Sequence, residues 1–219
     1  MADYPDFALI PEQSYGLIYC DPPWIYTGDQ AKMAAAGKHY QLMPDLDLAA
    51  MPVKSKCQKR AVILMWATCP RLDAAIDLMR AWGFYYRGVA FVWIKTRKDG
   101  GIIGAQGVRP SIVKPTTELL LAGSASEEDD CTELLIAGST VKTGRPLPLS
   151  DEGVAQVVLA PRTEHSAKPY EVRKRIERLY GPSIPKLEMF ARGIPVAGWD
   201  RFGNELDPEP ESLGFYPIV

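Results

Sequence analysis

The chain has few of the residues that build metal centres or disulfide frameworks. Its 219 residues include four cysteines and two histidines, and no two cysteines form a Cys-x-x-Cys pair. Ligands this sparse and scattered argue against a structural zinc site and a disulfide-stapled fold, so we expect no metal. Cys20 lies inside an apolar run and is predicted to belong to the core.

Long hydrophobic runs are also missing. No stretch approaches the ~18 apolar residues that a membrane span needs. The N-terminus has neither a basic start nor an apolar signal core, so we expect a cytoplasmic protein. An excess of positive charge is absent too, because the net charge is −2 at pH 7. This counts against tight, autonomous binding of long duplex but leaves room for a local basic surface.

What is present is the composition of an ordinary globular protein. Hydrophobic residues make up 47% of the chain and charged residues 24%. This length and balance predict a single domain over residues 1–219. The tail over 207–219 carries Pro208-Glu-Pro-Glu and is predicted to be loosely ordered.

Continuous apolar runs alternate with helical patterns. Runs over 15–20, 61–67, 84–94, 154–159 and 186–190 predict strands. Apolar spacings of three and four predict helices after Pro70 and over 168–180. The second helix would carry Arg173, Lys174, Arg175 and Arg178 on its outer faces. This alternation predicts an α/β fold, a mostly parallel twisted sheet flanked by helices.

The chain contains an internal repeat of seven residues. Residues 117–123 and 132–138 read Thr-Glu-Leu-Leu-Leu-Ala-Gly and Thr-Glu-Leu-Leu-Ile-Ala-Gly, with an acidic turn over 127–130 between them. Two strands and a polar turn are typical of a hairpin, so 124–143 is interpreted as a hairpin insertion. We favour the first copy as the strand that holds the central place in the sheet.

The most informative residues are Asp21, Pro22, Pro23 and Trp24, which follow the first apolar run. In open α/β sheets, ligands bind at the carboxyl ends of the strands, where this tetrapeptide is delivered. Two prolines hold the chain stiff and are predicted to leave their carbonyls free as acceptors. A carboxylate, carbonyl acceptors and an indole together suit a planar base with an exocyclic amino group. The alternative without a functional role is a turn that ends the strand and exposes a tryptophan on the surface.

A second block lies far along the chain. It reads Ala-Pro-Arg-Thr-Glu-His-Ser-Ala-Lys-Pro over 160–169, then Lys-Leu-Glu-Met-Phe-Ala-Arg over 186–192, Gly-Trp at 198–199 and Gly-Asn-Glu at 203–205. With Asp-Pro-Pro-Trp, it resembles the adenine-N6 methyltransferases that include the catalytic subunit of the mRNA adenosine methyltransferase and its bacterial and phage DNA-modifying relatives. The resemblance runs from about residue 15 to 205. It implies a Rossmann-like class I S-adenosylmethionine-dependent methyltransferase fold.

The resemblance also implies roles for individual residues. The catalytic group would be Asp21 to Trp24, with the carboxylate and the Pro22 carbonyl accepting from the adenine amino group and the indole stacking on the base. Lys168 would pair with the carboxylate of S-adenosylmethionine. The other residues implied to bind this cofactor are Asp6, Phe7, Asp21, His165, Ser166, Glu188, Phe190, Arg192, Asn204 and Glu205. Asp6 and Phe7 match by position only, and Ile194 with Pro195 replaces a polar pair of the mRNA enzyme.

Two segments are predicted to contact the acceptor. One loop follows the tetrapeptide and carries Tyr26, Lys32, His39 and Tyr40. The other, over 96–110, is rich in glycine and carries Arg97, Lys98 and Arg109. It is interpreted either as an ordinary surface loop or as a flap for a phosphate backbone. A base in a duplex would have to be flipped out to reach the pocket.

We therefore expect an enzyme that methylates the N6 amino group of adenine in nucleic acid, with DNA favoured over RNA. Methylation of RNA, or a non-catalytic subunit of a methyltransferase complex, are the alternatives. The intact tetrapeptide argues against the second of these. No Gly-x-Gly-x-x-Gly follows a strand, which argues against a nicotinamide-dependent enzyme. Both a homodimer and a partner subunit stay open.

Overall fold

The computed structural model describes residues 4–25, 42–103, 117–124, 147–161 and 167–208. Within these ranges the strands are β1 (Tyr15–Cys20), β2 (Cys57–Thr68), β3 (Tyr85–Thr96), β4 (Thr117–Ser124), β5 (Val157–Pro161), β6 (Lys186–Met189), β7 (Arg192–Gly193), β8 (Asp200–Phe202) and β9 (Glu205–Leu206). The helices are α1 (Asp45–Ala49), α2 (Val53–Lys56), α3 (Leu72–Ala81) and α4 (Tyr170–Tyr180), and short 3-10 turns cover Phe7–Leu9 and Cys69–Arg71.

Seven of these strands form one sheet in the order β5-β3-β4-β2-β1-β6-β8. Strand β1 pairs in parallel with β2 and β6, β6 with β8, and β3 with β5. Strand β4 runs antiparallel to both of its neighbours, β2 and β3. The other six strands therefore point the same way, and their carboxyl ends share one edge. The predicted mostly parallel, Rossmann-like α/β fold is confirmed.

The central strands are buried on both faces, as their continuous apolar sequences predict. All six residues of β1 are buried. Side chains alternate between two core clusters, with Ile18 in the cluster that α3 covers and Leu17 in the cluster that contains Val172 and Ile176 of α4. Each fully buried aliphatic side chain contributes roughly 1.5–3 kcal/mol. Two packed faces thus hold the carboxyl edge of the sheet in place.

Two details differ from the prediction or complete it. Helix α4 begins at Tyr170, two residues later than predicted, because Pro169 has an extended backbone (φ −64°, ψ 129°) and disfavours helix at the residue before it. The first copy of the repeat, over 117–123, forms most of β4, which lies between β3 and β2. The second copy and almost all of the interval interpreted as an insertion lie outside the described residues, as do residues 209–219 of the tail.

Among the helices of the described ranges, none has both the length and the apolar character that crossing a membrane requires.

Candidate active site

A pocket of about 380 Å³ opens at the carboxyl edge of the sheet, where β1 and β6 end beside the start of α4. Its lining comes from three segments that are far apart in sequence. The lining residues are Tyr19, Asp21, Ala167, Lys168, Pro169, Tyr170, Arg173, Glu188, Met189, Phe190, Arg192 and Gly193. Five charged side chains in this set make the pocket suited to a polar, ionic ligand.

Asp21 and Lys168 form an ion pair in this pocket. Asp21 directly follows β1, and the Nζ atom of Lys168 lies 3.0 Å from its Oδ2 atom. The side chains are 25% and 14% exposed respectively, so the pair is only partly screened by water. The same Nζ atom lies 5.5 Å from the centroid of the Trp66 ring, which forms part of the core below. The predicted catalytic carboxylate and the predicted cofactor lysine are therefore brought together.

The prediction that both proline carbonyls are free is wrong. The backbone N–H of Trp24 donates to the Pro22 carbonyl at 2.9 Å, and the N–H of Met43 donates to the Pro23 carbonyl at 3.0 Å. A tight turn and a bridge to residues 42–44 thus occupy one lone pair of each carbonyl oxygen. Each carbonyl oxygen has a second lone pair, so Pro22 retains the capacity for one further bond.

Trp24 is buried rather than presented on the surface. Its side chain is 4% exposed and packs in the core cluster below α3. The guanidinium of Arg71 lies 5.1 Å from the centroid of its ring, and Asp45 anchors Arg71 through contacts of 2.6 and 2.7 Å. Stacking of Trp24 on a base therefore stays a prediction, one that requires the covering side chains to move.

Arg173 is placed differently from the prediction. Instead of lying on a solvated outer face of α4, it points into the pocket, and its Nη2 atom contacts both oxygens of Glu188 at 2.6 and 2.7 Å. A carboxylate buried near the end of β6 attracts the cation from the facing helix. Burial raises the pKa of the Glu188 carboxyl above its usual range, and Arg173 opposes this shift. Burial, together with the charge of Glu188, raises the pKa of the Tyr19 phenol, which stays protonated.

Of the predicted cofactor residues after β6, Phe190 and Arg192 line the pocket, whereas Asn204 and Glu205 are not among its lining residues. Phe190 follows β6 with a φ of 59°, a left-handed conformation that costs a side-chain-bearing residue about 1–3 kcal/mol. Arg192 starts β7 and its Nε atom lies 3.4 Å from Oε2 of Glu205 in β9. Asn204 lies in the turn between β8 and β9. A Cβ on the preceding Gly203 would lie 2.1 Å from the Ala191 carbonyl oxygen, so only glycine fits.

Asp6 and Phe7 do not line the pocket. Asp6 caps the first 3-10 turn by accepting from the Ala8 N–H at 2.9 Å. The ring of Phe7 packs edge-on against Phe202 at 4.9 Å. Their side chains therefore have a local structural role in this conformation.

Of the residues predicted to contact the methyl acceptor, the structure describes only Arg97 and Lys98. Arg97 and Lys98 lie in an exposed turn after β3, and Arg97 contacts Asp99 at 3.3 Å. Thr96 and Ile102 close this turn by an antiparallel bridge. The remaining predicted residues, Tyr26, Lys32, His39, Tyr40, Arg109, His165 and Ser166, lie outside the described residues.

Sequence reasoning did not place Tyr19 or Arg173 in the site, although both line the pocket. Tyr19 had a usable signal, because it lies two residues before Asp21 and so points to the same face of the sheet as Asp21 would in a continued strand. Arg173 had none, since helical periodicity cannot separate a cation that turns inward from one that faces solvent. Within the described ranges, no cluster of three or more histidine, cysteine or carboxylate side chains is suited to a metal ion.

A mostly parallel sheet with an ionic pocket at its carboxyl edge, and Asp-Pro-Pro-Trp directly after β1, match the fold of a Rossmann-like methyltransferase. The model of the MT-A70 family matches residues 15–205, and the chain belongs to that family. It is also 29% identical over 218 residues to the Type II methyltransferase M.MunI of Mycoplasma sp, an alignment that covers 91% of this chain and 81% of that protein.

Proposed function

We propose that this chain transfers a methyl group from S-adenosylmethionine to the N6 amino group of adenine in DNA. The observation that carries the proposal is the placement of Asp21. It is the first residue after β1, its carboxylate lines the pocket, and the cation of Lys168 lies 3.0 Å away. A carboxylate held at this edge is suited to receive the amino group of a base.

The pocket fits the proposed cofactor. Its volume lies within the roughly 300–1,000 Å³ of small-molecule sites. Lys168 would hold the carboxylate of the cofactor's amino acid part, and Glu188, Arg192, Asn204 and Glu205 would hold its ribose and adenine. Bound there, S-adenosylmethionine supplies a methyl group on a positively charged sulfur. His165 and Ser166 are further proposed contacts, from residues outside the described ranges.

Asp21 then acts on the acceptor. The amino nitrogen of adenine is a weak nucleophile, because its lone pair is delocalised into the ring. A carboxylate that accepts one of its N–H bonds favours a more tetrahedral nitrogen, and a fixed acceptor needs no reorganisation during the reaction. The remaining lone pair of the Pro22 carbonyl would accept the second N–H. Asp21 need not be a strong base, since the N–H becomes acidic only as the methyl group arrives.

The preference for DNA over RNA has one support among the comparisons. The similarity to a Type II methyltransferase, at 29% identity, favours the DNA branch over the RNA branch of the resemblance. The turn after β3 presents Arg97 and Lys98 to solvent, where they are suited to contact a phosphate backbone. An adenine in a duplex would reach the pocket by flipping out of the stack.

The deciding experiment measures the methylated nucleosides. The protein is incubated with cofactor labelled on the methyl group and with DNA or RNA oligonucleotides of mixed sequence, and the digested nucleosides are analysed by mass spectrometry. We expect the label in N6-methyladenine from DNA. Label found only in RNA would make RNA the substrate in place of DNA. Label on cytosine, or on no base, would overturn the proposal.

A further inference from the structure

Arg173 is the most closely held cation of the pocket. Its Nη2 atom bridges the two oxygens of Glu188 at 2.6 and 2.7 Å, and the two side chains are 20% and 13% exposed. Short contacts between ionised groups are roughly twice as strong as contacts between neutral ones. Neither side chain has an ordinary solvated environment, although both line an open pocket.

The side chain of Arg173 is itself held in place by an aromatic residue. Its guanidinium lies 5.9 Å from the centroid of the Trp199 ring. Trp199 is buried, donates its indole N–H to Oε1 of Glu177 at 2.8 Å, and packs edge-on against Tyr19. The Nε atom of Arg173 is buried and has no hydrogen-bond partner. The hydrogen bonds of its Nη2 atom are thus directed at Glu188.

Charges from three neighbouring segments of the chain act on Glu188. Asp21 after β1 disfavours a second negative charge, Arg201 of β8 favours it, and burial disfavours it most. The Tyr19 phenol beside it is neutral, because its pKa is raised. Of the two cations that lower the pKa of Glu188, Arg173 has the larger effect. Removing this cation would therefore raise the pKa of the Glu188 carboxyl further above its usual range.

We propose that Arg173 is a positioning residue, which holds the Glu188 carboxylate as a fixed acceptor for the hydroxyl groups of a nucleoside ligand. The inference rests on the proposed function, since it takes the nucleoside part of the cofactor as the ligand. The two oxygens of Glu188 keep lone pairs that the single bridging nitrogen does not use. A carboxylate orientated by one cation presents these lone pairs in one direction, towards the pocket.

A purely structural ion pair and a positioning pair differ in one measurable property. With Arg173 in place, the cation opposes protonation of the Glu188 carboxyl, and ligand affinity should change little with pH. Without the cation, the carboxyl is protonated at low pH and loses its strength as an acceptor. Affinity should then be weak at low pH and recover as the pH rises.

The test is calorimetric titration with S-adenosylhomocysteine from about pH 6 to about pH 8.5, for wild type and Arg173→Gln. We expect the variant to bind about tenfold more weakly at the low end and to approach wild type at the high end. Arg178→Gln is the matched control, because Arg178 lies on the same helix and pairs with Asp151 outside the pocket. The ligand's own amino group titrates alike with all of these proteins.

A second variant keeps the test decisive if Arg173→Gln does not fold. Glu188→Gln keeps the shape of the side chain but removes its charge, so it should bind about tenfold more weakly at every pH. Adding it to Arg173→Gln should abolish the pH dependence. Wild-type affinity in Arg173→Gln across the pH range, or in Glu188→Gln, would overturn the inference while leaving the proposed function intact. A wild-type protein that binds no S-adenosylhomocysteine would overturn both.

Discussion

The ammonium group of Lys168 lies 3.0 Å from the carboxylate of Asp21. The two residues are assigned to different molecules in the proposed reaction, Lys168 to the cofactor and Asp21 to the base. Each neutralises the other in this structure. Binding of both ligands would therefore replace this ion pair by one contact between Lys168 and the cofactor and one between Asp21 and the base. Neither charge would then be buried without a partner.

Replacing Asp21 by Ala tests the catalytic assignment. We expect kcat to fall by at least about a hundredfold, the scale of losing one preorganised hydrogen-bonding group. Affinity for S-adenosylhomocysteine should stay within several-fold, because the freed Lys168 can still pair with a carboxylate. Single-turnover methylation and calorimetry measure the two effects separately. A variant with activity within tenfold of wild type would remove Asp21 from the mechanism.

Replacing Lys168 by Ala tests the cofactor assignment. If its partner is a carboxylate, affinity for S-adenosylhomocysteine should fall by about 1.5–3 kcal/mol, as for other hydrogen bonds to charged groups. Lys59→Ala is the control, because Lys59 is exposed near the opposite end of β2. Equal affinities of the two variants in calorimetry would confine Lys168 to its contact with Asp21.

How far the sequence predicts the site depends on the kind of interaction. The place of Asp21 follows from an apolar run that ends at residue 20, because a buried parallel strand must deliver the next residue to the carboxyl edge. The inward turn of Arg173 depends on where Glu188 lies across the pocket. The partners of the Pro22 and Pro23 carbonyls depend on turn geometry. Such tertiary facts leave no periodic signal in a single chain.

Gly203 is predictable only in part for the same reason. Its presence before Asn204 belongs to the motif that the sequence shows. The physical cause is the Ala191 carbonyl oxygen, which would lie 2.1 Å from an added Cβ. No pattern of residue types shows that two backbone segments approach this closely.

Replacing Gly203 by Ala should destabilise the protein. The obstacle is backbone and cannot rotate away, so we expect a loss of about 3 kcal/mol or more in the free energy of unfolding, at the upper end of overpacking effects. Gly153→Ala is the control, since only the Asp151 carboxylate lies near its added Cβ, at 3.2 Å. Urea titration measures both. An equal midpoint for the two variants would show that the β8–β9 turn shifts freely.

The basic turn after β3 carries the last prediction, which concerns the nucleic acid. Two cations first assigned to solvated faces of α4 are already engaged, because Arg175 pairs with Glu171 and Arg178 with Asp151. The cations of the turn are Arg97, which is 62% exposed although it contacts Asp99, and its neighbour Lys98, and Lys174 of α4 is exposed as well. These charges should contact phosphates, and such contacts make affinity fall with salt.

Reversing Arg97 and Lys98 to Glu, together with Arg109 of the same loop, should raise KM for an oligonucleotide and flatten its salt dependence. Affinity for S-adenosylhomocysteine should hardly change. Because few phosphates are contacted and the net charge is −2, the wild-type salt slope should be well below the ~10 of a strongly basic repressor. Lys59→Glu controls for the change in net charge. If the reversed variant methylates DNA as well as wild type at every salt concentration, the loop does not contact the backbone. If free adenosine is as good a substrate as the oligonucleotide, the acceptor is not a nucleic acid.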